Sequence, residues 1–297
     1  MELCSVHQMK ALLEENGFHF SKAKGQNFLT AAWVPQRIAE EAGVDREAGV
    51  LEVGPGIGPL TEQLCLRAGK VLAVELDRRL EPILARTVGH FENLEIQFDD
   101  VMKLDLRECV ERTFPGLRPM ACANLPYYIT SPILTKLLES RAFESVTVMI
   151  QKEVAQRICA APGTGEGSAF TVFCHWYAEP RVLFDVPPSC FLPQPKVTST
   201  VITLKTRTAP PCAVADEGLF FRVVRAAFGQ RRKTLSNALT AGVPALGKEG
   251  VNRVLEACGL PLTVRGEALT VEQFAAIANA MMNNESGGRQ SAVPTEL

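Results

Sequence analysis

An α/β domain built on a largely parallel sheet, followed by a smaller all-α domain, is the fold class this sequence predicts. Three observations predict it. From residue 49 to residue 160, short apolar runs rich in β-branched residues alternate with single helical stretches, the arrangement of βαβ units whose helices cover both faces of a sheet. At 206–218, TRTAPPCAVADEG replaces that periodicity with Pro, Ala and small polar residues, as an interdomain connection does. Beyond it the apolar repeats are helical. The sheet domain with an N-terminal helical segment is therefore assigned to 1–208 and the helical domain to 209–284, leaving 285–297 as a tail without anchoring hydrophobes, expected to be disordered.

The elements follow in order. Residues 7–17, HQMKALLEENG, have helical spacing and end on a Gly suited to a left-handed terminus. A basic, irregular stretch leads to a second helix at 33–42. GVLEVG then reads as strand, PLTEQLCLRAG as helix, KVLAVELD as strand, RRLEPILARTV as helix and LEIQFDD as strand. PMACANLP is the fourth strand, SPILTKLLES a helix, SVTVMIQ the fifth strand and KEVAQRICA a helix. TVFCHWYAEPRVLFDV and KVTSTVITLKT alternate like antiparallel strands added at one edge. Past the connection, LFFRVVRAAFGQRRKTLSNALT, KEGVNRVLEACG and TVEQFAAIANAMM are helical.

Composition excludes several classes. With 46% hydrophobic and 22% charged residues the chain is an ordinary globular one, and no apolar run approaches the roughly 18 residues of a membrane span. Glu2 and the lack of an apolar run behind it do not fit a secretory signal, so the expected compartment is the cytoplasm. The nine cysteines are scattered singly, without C-x-x-C or zinc-finger spacing, which argues for free thiols and no metal. A formal charge of −2 gives no global sign of a nucleic-acid partner.

VLEVGPGIGPL runs from a strand into a glycine turn and a helix. Gly54, Gly56 and Gly58 let the backbone approach a ligand closely. The spacing is G-x-G-x-G, with Pro59 next, instead of the G-x-G-x-x-G of dinucleotide sites. Glu52 precedes the turn, Glu75 ends the next strand where it can accept from a ribose diol, and Asp100 follows the third strand, within reach of an adenine amine. Acids around one crevice, with no Lys or Arg in the loop, repel a pyrophosphate and favour a sulfonium. S-adenosylmethionine is the expected cofactor.

The fourth strand ends in Asn124, Leu125, Pro126 and Tyr127, at the sheet edge where α/β ligands bind. An aromatic amine such as adenine N6 is a poor nucleophile because its lone pair is delocalised. The Asn124 side-chain oxygen and the Leu125 carbonyl, aimed by Pro126, can hold its two hydrogens and localise that lone pair. Tyr127 offers a ring for stacking, and Phe191, in the proline-rich PPSCFLPQPKVTST, is expected to form the second wall around a base lifted from its stack.

These residues together resemble the ribosomal RNA adenine N6-dimethyltransferases. KGQNFL, EVGPGIGPLT, ELD at 75–77, DVMKLD, NLPYYIT, MIQKEVAQRI, FLPQPKVTST and AFGQRRKTLSNAL occur in that family's order between about residues 10 and 280. The resemblance implies a Rossmann-like class I S-adenosylmethionine-dependent sheet. It places Gln26, Asn27 and Leu29 at the methionine end of the cofactor, Gly54, Gly56 and Gly58 in its cradle, Glu75 with Leu76 at the ribose, and Asp100 with Val101 at the adenine. Asn124 would serve both cofactor and target. The implied substrate is a pair of adjacent adenosines near the 3′ end of small-subunit rRNA, free or in an assembling 30S subunit, acted on by a monomer. The related enzymes acting on large-subunit rRNA share the fold and an NLPY-like motif; FGQRRKTL resembles the small-subunit branch more closely. The chain departs from the family pattern at Tyr128, where Asn is common, and at Gly167 and Ser168, which replace a Tyr-Gly.

Arg222, Arg225, Arg231, Arg232 and Lys233 follow one another without an intervening acid, and with Lys22 and Lys24 they form a candidate phosphate-tracking patch. Two other classes remain as rivals: an assembly factor that keeps the fold without turnover, and a nicotinamide oxidoreductase, whose fingerprint is lacking.

Overall fold

The computed structural model describes residues 2–18, 27–230 and 232–290. It divides into two compact units, one of Met1–Gln156 with Ala178–Thr206 and the other of Arg157–Tyr177 with Arg207–Leu297.

The first unit opens with α1 (Val6–Glu15), whose buried face is Met9, Leu12 and Leu13 at helical spacing. Gly17, at φ +59°, terminates it in the left-handed region. After β1 (Phe28–Leu29) and α2 (Trp33–Glu41), five parallel strands follow: β2 (Ala48–Val53), β3 (Lys70–Glu75), β4 (Leu94–Phe98), β5 (Arg118–Asn124) and β6 (Ser145–Gln151). The helices between them are α3 (Pro59–Arg67), α4 (Glu81–Thr87), α5 (Leu106–Thr113) and α6 (Thr130–Ser140). Every residue of β2 is buried, because the sheet is covered on both faces.

The sequence pattern does not predict α5. It is eight residues long and mostly polar, and Asp105 starts it by accepting from the Arg107 and Glu108 N–H groups at 3.0 and 3.2 Å.

After α7 (Lys152–Cys159) and α8 (Ala169–Tyr177) come β7 (Ala178–Val186) and β9 (Ser199–Thr206), with β9 lying antiparallel between β6 and β7. The sheet order is β4-β3-β2-β5-β6-β9-β7. Between them β8 (Phe191–Leu192) pairs with β1 in a separate ribbon, Leu29 opposite Phe191.

The second unit corrects four expectations. The alternation in TVFCHWYAEPRVLFDV (171–186) predicts a strand throughout, yet only its second half is one: 171–177 belong to α8, a helix. Phe170, Phe173 and Tyr177 lie at i, i+3 and i+7, and their rings contact one another along one face. Segment 157–177, placed with the sheet by sequence, packs in the helical unit: Trp176 stacks on Phe220 at 4.2 Å and the Tyr177 hydroxyl donates to Glu217 Oε1 at 2.7 Å. Third, α12 (Val271–Gln290) continues through 285–290, part of the expected tail; 291–297 lie outside the described residues.

The remaining helices are α9 (Glu217–Gly229), α10 (Leu235–Gly242) and α11 (Gly247–Ala257), α9 and α10 being separate where one helical run was read. Gly167 and Ser168 have a local role: the Ser168 hydroxyl accepts from the Thr171 N–H at 3.2 Å and caps α8. Among the described residues, no helix is long and apolar enough to cross a membrane, and all nine cysteines are free.

Candidate active site

The chain builds β2, β3 and β4 outward in one direction, then returns to place β5 on the other side of β2. The loops leaving β2 and β5 therefore diverge, and a crevice opens at their carboxyl ends. A cavity occupies it, lined from the tips of β2, β3, β4 and β5 and by Asn27, Phe28 and Leu29.

The floor is the glycine turn. Gly54, Gly56 and Gly58 have φ of +71°, +62° and +98°, which only glycine adopts without strain. Gly54 N–H donates to the Val74 carbonyl at 2.9 Å. Glu75 fastens the turn from the next strand: Gly56 N–H donates to its Oε2 at 3.3 Å and Asp77 N–H to its Oε1 at 2.8 Å. Gly56 carries the Phe28 ring, since a Cβ there would stand 3.1 Å from Phe28 Cε1. Gly58 differs from the expectation, for it does not line the cavity. It packs α3 onto the end of α4, where a Cβ would come within 2.8 Å of Val88 Cγ1. The close-packing role of the third glycine in G-x-G-x-x-G is thus met at shorter spacing.

Five acids line the cavity, Glu52, Glu75, Asp77, Asp99 and Asp100, and among the described residues no Lys or Arg does. Asp77 is matched by Arg79, its Oδ2 accepting from Nη2 at 2.6 Å. Glu52 is not. It is 1% exposed, and burial pushes its carboxyl up to about 8, with the charge of Glu75 adding to the rise. The neighbouring Thr61 hydroxyl opposes the shift, yet among the described residues neither Thr61 Oγ1 nor Glu52 Oε2 completes a hydrogen bond. Burial also raises Glu75, with the charge of Asp77 adding to it, against the backbone N–H groups of Asp77, Gly56 and Leu76 that favour its charged form. Glu52 was noted in the sequence only as an acid before the glycines; its place within an otherwise apolar strand is the signal that marks it as buried.

Asp100 Oδ1 accepts from Met102 N–H at 2.9 Å and caps a short turn, while the Met102 carbonyl accepts from Lys136 Nζ at 2.8 Å. Lys136, on α6, was not singled out by sequence. Leu76 and Val101 line the same end of the cavity.

At the other end, Asn124 closes β5, half-buried and facing the cavity. Its Nδ2 donates to the Asn27 carbonyl at 3.4 Å, and among the described residues its Oδ1 has no partner. Leu125 N–H donates to Met149 O at 3.2 Å, whereas its carbonyl accepts from no described donor. The Pro126 carbonyl accepts from Ile129 N–H and the Thr130 hydroxyl, both at 3.2 Å, which fixes the turn. Tyr127 is half-buried and its hydroxyl pairs with Ser199 Oγ at 2.7 Å. Tyr128, the departure noted in the sequence, lines the cavity and is 59% exposed.

Phe191 corrects the expectation of a second stacking wall. Its ring is 2% exposed, packed in the cluster that includes Leu29, Val34, Phe184 and Val201, and it does not line the cavity. The β1·β8 pairing turns it inward opposite Leu29. Among the basic residues, Arg222 and Arg225 lie on α9, and Arg232 and Lys233 lie between α9 and α10. Arg222 has Asp216 at 3.8 Å, an acid just before the cationic run. Lys22, Lys24, Gln26 and Arg231 lie outside the described residues.

Residues 17–282 match the family profile described as "Ribosomal RNA adenine dimethylase". The "Ribosomal RNA small subunit methyltransferase A" of Alkaliphilus oremlandii (strain OhILAs) is 45% identical over 278 residues, covering 93% of this chain and 97% of that protein. Among solved structures, a dimethyladenosine transferase from Plasmodium falciparum superposes with a TM-score of 0.72 at 25% identity, covering 87% of this chain and 98% of that one. The 23S rRNA methyltransferase ErmE superposes at 0.67 with 26% identity, covering 86% and 100%.

Proposed function

Because the chain belongs to the ribosomal RNA adenine dimethylase family, we propose that it transfers methyl groups from S-adenosylmethionine to N6 of two adjacent adenosines near the 3′ end of small-subunit rRNA. It acts as a monomer in the cytoplasm, on small-subunit rRNA either free or in an assembling 30S subunit. The observation that carries this reading is the joining, at one sheet edge, of an acid-lined crevice to two carbonyl-type oxygens, Asn124 Oδ1 and Leu125 O; among the described residues the crevice holds no Lys or Arg and the two oxygens have no partner.

The crevice fits the cofactor. Uncompensated acids suit a ligand bearing a sulfonium and an ammonium, and the orphaned Glu52 oxygen offers an acceptor. Glu75 would receive the ribose diol, the Asp100 turn with Val101 the adenine, and the backbone of Gly54 and Gly56 the closest approach. S-adenosylmethionine supplies an electrophilic methyl group when bound.

The chain supplies orientation. Asn124 Oδ1 and Leu125 O would accept the two N6 hydrogens, holding the amine with its lone pair localised and pointing into the cavity. The amide is aimed from behind, because its Nδ2 is committed to the Asn27 carbonyl. Tyr127 would give the base one stacking face. Its phenol is raised above its ordinary value by burial, against the Ser199 hydrogen bond, so it stays neutral and does not act as base. The methylated nitrogen is acidic enough to release its proton to water.

The large-subunit reading predicts transfer to 23S rRNA. The 45% identity to a small-subunit relative over nearly its whole length favours the first reading over the 26% seen with ErmE. Incubation with 30S and 50S subunits lacking adenine methylation, followed by mass spectrometry of rRNA digests, tests it. Dimethyladenosine at the 3′ end of 16S rRNA is expected; modification confined to 23S rRNA would refute it.

A further inference from the structure

With Phe191 in the core, the aromatic surface available to RNA at the cavity mouth differs from the one the sequence implied. Tyr127 and Tyr128 are consecutive in a three-residue 3-10 turn, Tyr127–Ile129. Such a turn has three residues per revolution, so neighbouring side chains project about 120° apart. Tyr127 is tucked in and tied by its hydroxyl to Ser199. Tyr128 projects outward: it lines the cavity yet is 59% exposed, and among the described residues its hydroxyl makes no hydrogen bond and its ring meets no other ring. The turn beneath it is held by two hydrogen bonds to the Pro126 carbonyl, so the ring stands on a fixed base. Leu76, at 57% exposure, is another large apolar side chain at the cavity left open to solvent.

Lifting an adenine out of a strand removes a stacking partner from the nucleotide beside it, a loss of a few kcal/mol. An exposed aromatic ring at the mouth of the cavity that receives the adenine can replace that partner. We propose that Tyr128 stacks on the nucleotide adjacent to the flipped adenosine, making it an RNA-positioning residue. This rests on the base-methylating function proposed above and adds a subsite for the neighbouring base. With two adjacent adenosines as substrate, the base on Tyr128 during one round is the target of another, so the ring also bears on how completely both become dimethylated.

The test compares wild type, Tyr128→Phe and Tyr128→Ala on 30S subunits and on a short 16S-derived hairpin. Replacing Tyr128 by Ala should raise KM for RNA on the order of tenfold, leave S-adenosylhomocysteine affinity unchanged and lower the yield at the second adenosine. Tyr128→Phe, which keeps the ring, should behave as wild type. With 2-aminopurine beside the target, binding to wild type should give little fluorescence gain because the base is restacked, and binding to Tyr128→Ala a large one. Equal KM and equal fluorescence for all three proteins would overturn the inference, as would a Phe variant as impaired as the Ala variant. Failure of wild type to methylate adenine N6 at all would instead sink the underlying function, so the two failures are distinguishable.

Discussion

Glu52 offers the most quantitative test of the site. Its carboxyl has a value of about 8 in the folded chain against an ordinary 4.5. A carboxyl raised on folding binds more protons folded than unfolded between those two values. Stability therefore falls as pH rises from about 4.5 to about 8 and levels off above it. At about 1.4 kcal/mol per unit, this one group destabilises the fold by roughly 1 kcal/mol at pH 5 and roughly 5 kcal/mol at pH 9. Glu52→Gln retains the shape of the protonated acid and does not titrate. Any constant offset from the amide cancels when the pH dependence is compared, and so do the titrating groups not coupled to Glu52; the coupled Glu75 is part of the difference read. Urea unfolding of both proteins at pH 5, 7 and 9 should show the variant gaining about 4 kcal/mol on wild type across that range. Curves that run parallel to within about 1 kcal/mol would refute a buried, uncompensated carboxyl at this position.

Asn124→Ala should lower kcat by on the order of 100-fold or more while sparing S-adenosylhomocysteine binding by calorimetry, as loss of a preorganised polar group does; near-normal turnover would remove it from the mechanism. Gly58→Ala should cost about 1–3 kcal/mol, because the residue sits at φ +98° against Val88, and a thermal melt reads it directly. Phe191→Ala should lose about 3–5 kcal/mol of stability; an unchanged melt with a raised KM for RNA would return the ring to the base site. Lys136→Met should weaken S-adenosylhomocysteine about tenfold by freeing the Met102 carbonyl and the Asp100 turn, with unchanged affinity as the contrary result.

The parallel strands were legible because each is short, apolar and flanked by one amphipathic helix; 145–151 was read with the same limits the structure gives. So was the crevice, since Gly54, Glu75, Asp100 and Asn124 all stand at strand tips, and topology brings such tips together. What sequence obscured was partnership. Phe191 lies in a loop motif, but its ring direction is set by pairing with Leu29, a residue 162 positions away by number (191 − 29). Gly58 looked like cradle and proved to be packing, a distinction that depends on Val88. Alternation alone could not separate strand from helix at 171–177, where the deciding contacts come from Phe220 and Phe221.

That last arrangement bears on how the polypeptide matures during synthesis. The helical unit is assembled from two stretches of chain, Arg157–Tyr177 and Arg207–Leu297, with β7 and β9 made in between. As the ribosome extends the nascent chain, Phe173 and Trp176 emerge well before the Phe220 and Phe221 that cover them. The interrupted segment must wait, its greasy side bare, until the later piece arrives. An expression fragment ending near residue 208 would keep that orphaned helix permanently, and should come off as sticky, aggregating material; one that also deletes 157–177 and rejoins the ends gives the sheet a cleaner chance to stand alone.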